Sequence, residues 1–161
     1  MKPRVLIAGL GNAFLGDDAF GVEVARRLAE AAVPAWVQIA DYGIGGMRLA
    51  CDLLGGYDTT ILIDVVPRGG KPGTVSLIEA GRSGGSVDAH GMRPDAVFRM
   101  LELLGGDAGE VLVVGCEPGH IGQGAELSPP VAAAVDEAVR LVADLAWGCA
   151  PENPLALTAE A

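Results

Sequence analysis

The sequence predicts an α/β sandwich: a mostly parallel five-stranded sheet with one antiparallel edge strand, covered by helices on both faces. Three observations carry this. Short apolar runs alternate with longer stretches of helical periodicity along nearly the whole chain. The runs that begin at Val5, Thr60 and Val111 are apolar at successive positions, so both of their faces are covered, as in parallel strands between two helical layers. A further run at 75–78 is separated from its predecessor only by residues 67–74, too few for a crossover helix, so it pairs antiparallel at an edge.

Taken in order, residues 5–9 (VLIAG) are the first strand, bounded by glycine. Over 18–32, Phe20, Val24, Ala25, Leu28 and Ala32 share one helical face. Residues 37–41 (VQIAD) alternate as a half-exposed strand, 46–54 form a short helix, and 60–66 (TILIDVV) are a buried strand. Residues 75–78 are the antiparallel strand. Over 94–104, Val97, Leu101 and Leu104 share a face, and 111–116 (VLVVGC) form the last strand. Val131, Val135, Val139, Val142 and Ala146 are in register on a long terminal helix. Residues 1–147 thus read as one α/β domain, and 148–161, with two prolines, as a flexible tail.

Composition narrows the function. The chain has 161 residues, with 11 Lys and Arg against 21 Asp and Glu, a net charge of −10. That field excludes nucleic acid and anionic membranes as partners. Three cysteines without paired spacing argue against disulfides or structural zinc. With no signal-peptide core and no apolar stretch near ~18 residues, the expected location is the cytoplasm. The 24 glycines, roughly twice the usual ~7%, mean a backbone that turns sharply in many places. No HExxH, GxSxG or GxxxxGK[ST] is present, which excludes the common zinc proteases, α/β-hydrolases and P-loop NTPases.

In open α/β sheets, sites form beyond the carboxyl ends of the parallel strands. Here those ends are 9–12, Asp41, Asp64 and 115–117. Gly9-Leu10-Gly11-Asn12 invites a dinucleotide reading, but the third glycine of that fingerprint is Phe14, and Asp17 and Asp18 would repel a pyrophosphate at the helix start. Asp17 and Asp18 also suit ordinary helix capping, although Gly21 in the first turn costs roughly 1 kcal/mol against Ala unless a close approach needs it. Asp64 interrupts a buried apolar run, so its carboxylate needs a partner or a functional role. Asp41 suits either a site or an Asx turn. The segment 79–93 must carry the chain back to the carboxyl edge, bringing Asp88 and His90 towards Asp18, Asp41 and Asp64. Imidazole with carboxylates suits Ni, Zn or Fe. His120, in GCEPGHIGQG, is a further candidate that suits a solvent-facing role equally.

At these residues the chain resembles the nickel-iron hydrogenase maturation endopeptidases. The resemblance spans residues 4–147 and rests on five blocks in order: GLGNAFLGDDAFG (9–21), DYGIGG (41–46), IDVVPRGGKPGTV (63–75), DAHGM (88–92) and VGCEPGHIGQGAELSP (114–129). It implies an α/β/α sandwich that removes a C-terminal extension from a nickel-loaded hydrogenase large-subunit precursor. It also implies a metal-binding triad of Asp18, Asp64 and His90, with the nickel supplied by the precursor; a metal of the protein's own stays open. Two departures stand out: the first ligand, often Glu in the family, is Asp18, and Tyr42 stands where some relatives have Gly. Asp41 is the candidate for an additional acid or base. Neutral imidazole and ionised carboxylates are required for such ligation, so metal-dependent binding should weaken below about pH 6. The competing classes are a non-enzymatic metal- or small-molecule-binding module on the same scaffold and a nucleotide-binding enzyme.

Overall fold

The structure, a computed structural model, describes residues 4–82, 84, 94–124 and 126–149. Strands β1 (Val5–Leu10), β2 (Val37–Gly43), β3 (Thr59–Val65), β4 (Val75–Arg82) and β5 (Glu110–Cys116) form one sheet in the order β2-β1-β3-β5-β4. The β1–β2, β1–β3 and β3–β5 pairs are parallel, and β4 joins β5 antiparallel at the edge, as the short connection requires. Helices α1 (Phe20–Ala29), α2 (Gly46–Leu53), α3 (Asp95–Leu103) and α4 (Pro129–Trp147) complete the fold.

Strand alternation sorts the core into two layers. Val5 and Ile7 of β1, Ile61, Ile63 and Val65 of β3, and Val114 and Cys116 of β5 pack under α1 and α4. Their neighbours Leu6, Ala8, Leu62, Val111 and Val113 pack on the opposite face with Leu49 and Leu53 of α2 and Phe98 and Leu101 of α3. Every residue of β1 is buried, which explains why its sequence shows no polar alternation.

The elements differ from expectation in four places. A 3₁₀ turn (Gly16–Ala19) precedes α1, so the helix starts at Phe20 rather than at residue 18, and neither Asp17 nor Asp18 caps it through its side chain. Helix α1 also stops at Ala29, leaving Ala32 exposed, since Pro34 biases the residue before it away from helix. Strand β4 runs on to Arg82 through a bulge between Glu79 and Gly81, so the returning segment is shorter than a 79–93 loop. Helix α4 begins two residues earlier than residue 131, because proline is tolerated in a first turn whose N–H groups lack helical partners.

Gly21 shows what the first turn of α1 needs. A Cβ there would lie 2.0 Å from the Ile63 carbonyl oxygen and 2.5 Å from that of Leu10. The glycine lets α1 lie directly on β1 and β3, which offsets its helical cost. That contact brings the residues before α1 over the carboxyl ends of the two central strands.

Candidate functional site

Among the described residues, three acids are buried at this edge: Asp17 (0% exposed), Asp18 (1%) and Asp64 (6%). Their surroundings divide them into two kinds.

Asp17 is wholly occupied by the protein. Its Oδ2 accepts hydrogen bonds from the Gly119 and His120 amides and the Ser128 hydroxyl, each at 2.7 Å, and its Oδ1 accepts from the Ser128 amide at 2.6 Å. Burial opposes its ionisation. The His120 and Ser128 amides, the Ser128 hydroxyl and the Gly119 amide outweigh burial and hold the carboxyl below its usual pKa of 3.8. The backbone repeats the link. The Asp17 amide donates to the His120 carbonyl at 2.9 Å, and the Gly16 amide to that of Gly124 at 2.7 Å. Asp17 therefore staples the loop after β5 and the start of α4 to the turn that carries Asp18.

Asp18 sits at the end of that turn, where its Oδ2 accepts from the Asn12 amide at 2.8 Å. The loop closes tightly around it: Gly11 has φ 118°, and a Cβ there would lie 1.9 Å from the Asp18 carbonyl oxygen. The glycines of GLGN thus serve a turn that wraps an acid and leave no cradle for a pyrophosphate. Asp64, near the end of β3, accepts from the Val65 amide at 2.8 Å through Oδ1. By strand alternation with Leu62 and Val66, its side chain lies on the α2–α3 face. There it lines a cleft of about 220 Å³ together with Leu10, Gly11, Ile44, Leu49 and Val97.

The remaining predicted residues fall differently. Asp41 alternates on β2 with Val37 and Ile39, which pack on the α1–α4 face, whereas its neighbour Tyr42 packs on the other. The side chain of Asp41 is exposed, and the structure does not bring it into the cleft lined by Asp64. His120 is exposed; what links it to Asp17 is its backbone. Asp88 and His90 lie outside the described residues. Among the described residues, no three His, Cys, Asp or Glu side chains form a group that could hold a metal ion. The carboxylates of Asp18 and Asp64 nonetheless supply oxygen donors of the kind a nickel, zinc or iron site uses alongside imidazole.

One residue gains a role that sequence reasoning missed, and a second is ruled out of one. Glu117, just after β5, accepts from the amides of Arg68 and Gly69 at 2.8 and 3.0 Å, tying down the loop after β3. Cys116 lies at the same edge, four residues before His120, and could pass for a nucleophile. Burial, then the charges of Asp17, Glu117 and Glu137, push its thiol pKa up to about 12, so it carries no thiolate at neutral pH.

Several solved structures with this fold are endopeptidases or maturation proteases. The chain aligns with the hydrogenase maturating endopeptidase HybD from E. coli at a TM-score of 0.76 and 28% identity, over 86% of this chain and 89% of that one. It aligns with the hydrogenase 2 maturation peptidase of a Thaumarchaeota archaeon at a TM-score of 0.69 and 33% identity, over 88% and 97%. The hydrogenase expression/formation protein HupD of Rhodobacter capsulatus is 32% identical over 91% of this chain and 74% of its own length. The model of the hydrogenase maturation protease family matches residues 22–145. The chain belongs to that family and is an endopeptidase, a hydrolase. No helix among its described residues is long and apolar enough to cross a membrane.

Proposed function

We propose that this endopeptidase removes a C-terminal extension from a hydrogenase large-subunit precursor, and that Asp18, Asp64 and His90 recognise nickel already held by that precursor. The observation that carries this reading is one buried acid lining the cleft with a second buried acid at the same edge of the sheet. Asp64 lines it directly, and Asp18 is held at the same edge by the Asn12 amide. Carboxylate oxygens beside imidazole are donors that suit a cation arriving with the substrate. In this scheme nickel belongs to the substrate and licenses the cut. Precursor without nickel would lack the cation that these carboxylates favour and would bind weakly.

The residues around the acids have separable tasks. Asp17 and Asn12 hold Asp18 in place, and Glu117 fixes the loop beyond β3. Asp41 is left out of the chemistry, because its strand turns it to the α1 side of the sheet. The protein acts in the cytoplasm, where a precursor is loaded before assembly.

The test is to incubate the protein with nickel-loaded and nickel-free precursor and follow precursor size on a gel. Wild type should shorten only the loaded form, and Asp64→Asn and His90→Ala should shorten neither. Equal processing of both forms by wild type, or normal processing by both variants, would refute the recognition role.

A further inference from the structure

Most described basic side chains are engaged by the fold. Arg4, Arg26, Arg27, Arg82 and Arg99 pair with Asp or Glu, and Arg48 donates to the Asp41 carbonyl. Among the described residues, Arg68, Lys71 and Arg140 are the basic ones whose side chains make no ion pair or hydrogen bond. Arg140 stands roughly 16 Å along α4 from the start of that helix at the site edge. Arg68 and Lys71 instead share the connection from β3 to β4, which is exposed from residue 67 to 72. That connection is pinned. The Glu117 carboxylate holds the Arg68 and Gly69 amides, and the Glu117 carbonyl accepts from the Gly73 amide at 2.8 Å. The Lys71 carbonyl accepts the Thr74 hydroxyl at 2.7 Å. Gly73, at φ 88°, lies against the first turn of α4, where a Cβ would come 2.5 Å from the Pro130 carbonyl oxygen. Arg68 is four residues beyond Asp64, so their Cα atoms lie within roughly 14 Å. A Cβ built on Gly119 would lie 3.3 Å from Asp17 Oδ2 and 3.5 Å from Pro72 Cβ. The basic loop, the segment after β5 and the turn that carries Asp18 are therefore one continuous surface.

We infer that this loop is a docking surface for acidic side chains of the precursor's C-terminal extension, which pair with Arg68 and Lys71 a few residues beyond the bond that is cut. The inference rests on the reading that the substrate is such a precursor. At physiological salt a charge is felt over about 8 Å, so the loop presents a local positive field despite the net charge of −10. An acidic peptide is repelled by Asp18 and Asp64 and drawn to the loop, which fixes the direction in which the extension leaves the site. The anchor belongs on the extension rather than on the body of the subunit because exposed ion pairs are weak. Each is worth at most about fivefold in affinity. They help while the extension is still tethered to the rest of the bound precursor. Once the bond is cut, the freed extension is held by them alone and dissociates, and the mature subunit keeps no contact with the loop.

The test measures KM and kcat on nickel-loaded precursor for wild type and two double variants, Arg68→Ala with Lys71→Ala and Arg68→Glu with Lys71→Glu. Both side chains are exposed and the amides that Glu117 holds remain, so the loop keeps its shape. At low salt the alanine pair should raise KM at least threefold and the glutamate pair at least tenfold, with kcat changed less than twofold. In 0.5 M salt the ratio of variant to wild type should shrink to below twofold. Precursor whose extension has every Asp and Glu replaced by Asn and Gln should bring wild type and alanine pair within twofold of each other. Precursor with Lys at those positions should be cut by the glutamate pair with a KM at least fivefold below that for the parent precursor. Three results overturn the docking surface and leave the endopeptidase reading standing. One is an extension that contains no Asp or Glu. Another is KM for the parent precursor unchanged in both variants. The third is a difference that persists on the neutralised extension, which assigns the anion to the terminal carboxylate or to the body of the subunit. Parent precursor left intact by wild type overturns the proposed function itself.

Discussion

Replacing Asp17 by asparagine changes one atom of a buried side chain and should nonetheless be among the most damaging substitutions in the chain. The carboxylate accepts four hydrogen bonds, three on Oδ2 and one on Oδ1. An asparagine can turn its carbonyl oxygen to the Oδ2 position and keep three of them. Its NH₂ group then faces the Ser128 amide, donor against donor, and one buried N–H is stranded. Each surviving bond falls from the roughly 1.5–3 kcal/mol of a charged acceptor to the 0.5–1.5 of a neutral one, and a stranded donor costs about 1–3 kcal/mol. Relief of the carboxylate's burial cost offsets part of that sum, leaving a net loss of about 3 kcal/mol. At about 2–4 °C per kcal/mol for a chain of this length, the melting temperature should fall by about 6–12 °C. Thermal unfolding followed by circular dichroism measures it at neutral pH. A fall of less than about 2 °C would refute the staple, and with it the account of how Asp18 is held.

Further outcomes follow from the same geometry. The folded-state pKa of Asp17 lies below 3.8, so its contribution is fully present above that value and lost as pH falls through the folded pKa. The gap in melting temperature between wild type and Asp17→Asn should therefore be constant from pH 7 to 5 and narrow below pH 4. Asp64→Asn should lower precursor processing at least about 100-fold, the upper end of what altering a metal site costs, and shift the melting temperature far less than Asp17→Asn. Gly21→Ala would put a Cβ 2.0 Å from the Ile63 carbonyl oxygen, so it should destabilise by about 3 kcal/mol, read as a reduced urea midpoint. Cys116, with its thiol pKa pushed up to about 12, should resist iodoacetamide at pH 8 in the folded protein, and Cys116→Ala should retain processing within about twofold.

The parts of the fold legible in sequence were those set by one strong periodic term. Doubly buried strands such as β1 and β3 can only be continuous apolar runs, and the nine residues between β3 and β4 left no room for a crossover helix. What sequence did not show was set by loops meeting loops. Nothing local to Gly119, His120 and Ser128 says that their donors converge on an acid about a hundred residues earlier. The bulge in β4 is likewise a matter of pairing with β5, and it erased the expected strand end at residue 78. The face that Asp41 takes was not legible for a simpler reason. The end of a parallel strand predicts the right edge of the sheet, but a side-chain period of two decides the face, and Asp41 falls on the other one.

The doublet at 17 and 18 carries the same lesson to the chemistry. Two identical residues, one bond apart and both buried, read from sequence as interchangeable caps of α1, and neither side chain caps it. Asp17 has its acceptor capacity taken up by four donors from the 119–128 segment, so its charge is spent inside the protein. Asp18 accepts from the Asn12 amide within a loop that only glycine at position 11 permits. The large negative charge of the chain is therefore a poor guide to its site. Two adjacent buried carboxylates are held by different parts of the fold, Asp17 by the 119–128 segment and Asp18 within the turn at Asn12. An acid stapled directly before Asp18 also fixes the backbone of Asp18 at no cost to its side chain. The order cannot be reversed, because Asp18→Asn should leave the staple and the melting temperature nearly intact while processing is lost, and Asp17→Asn should cost stability first.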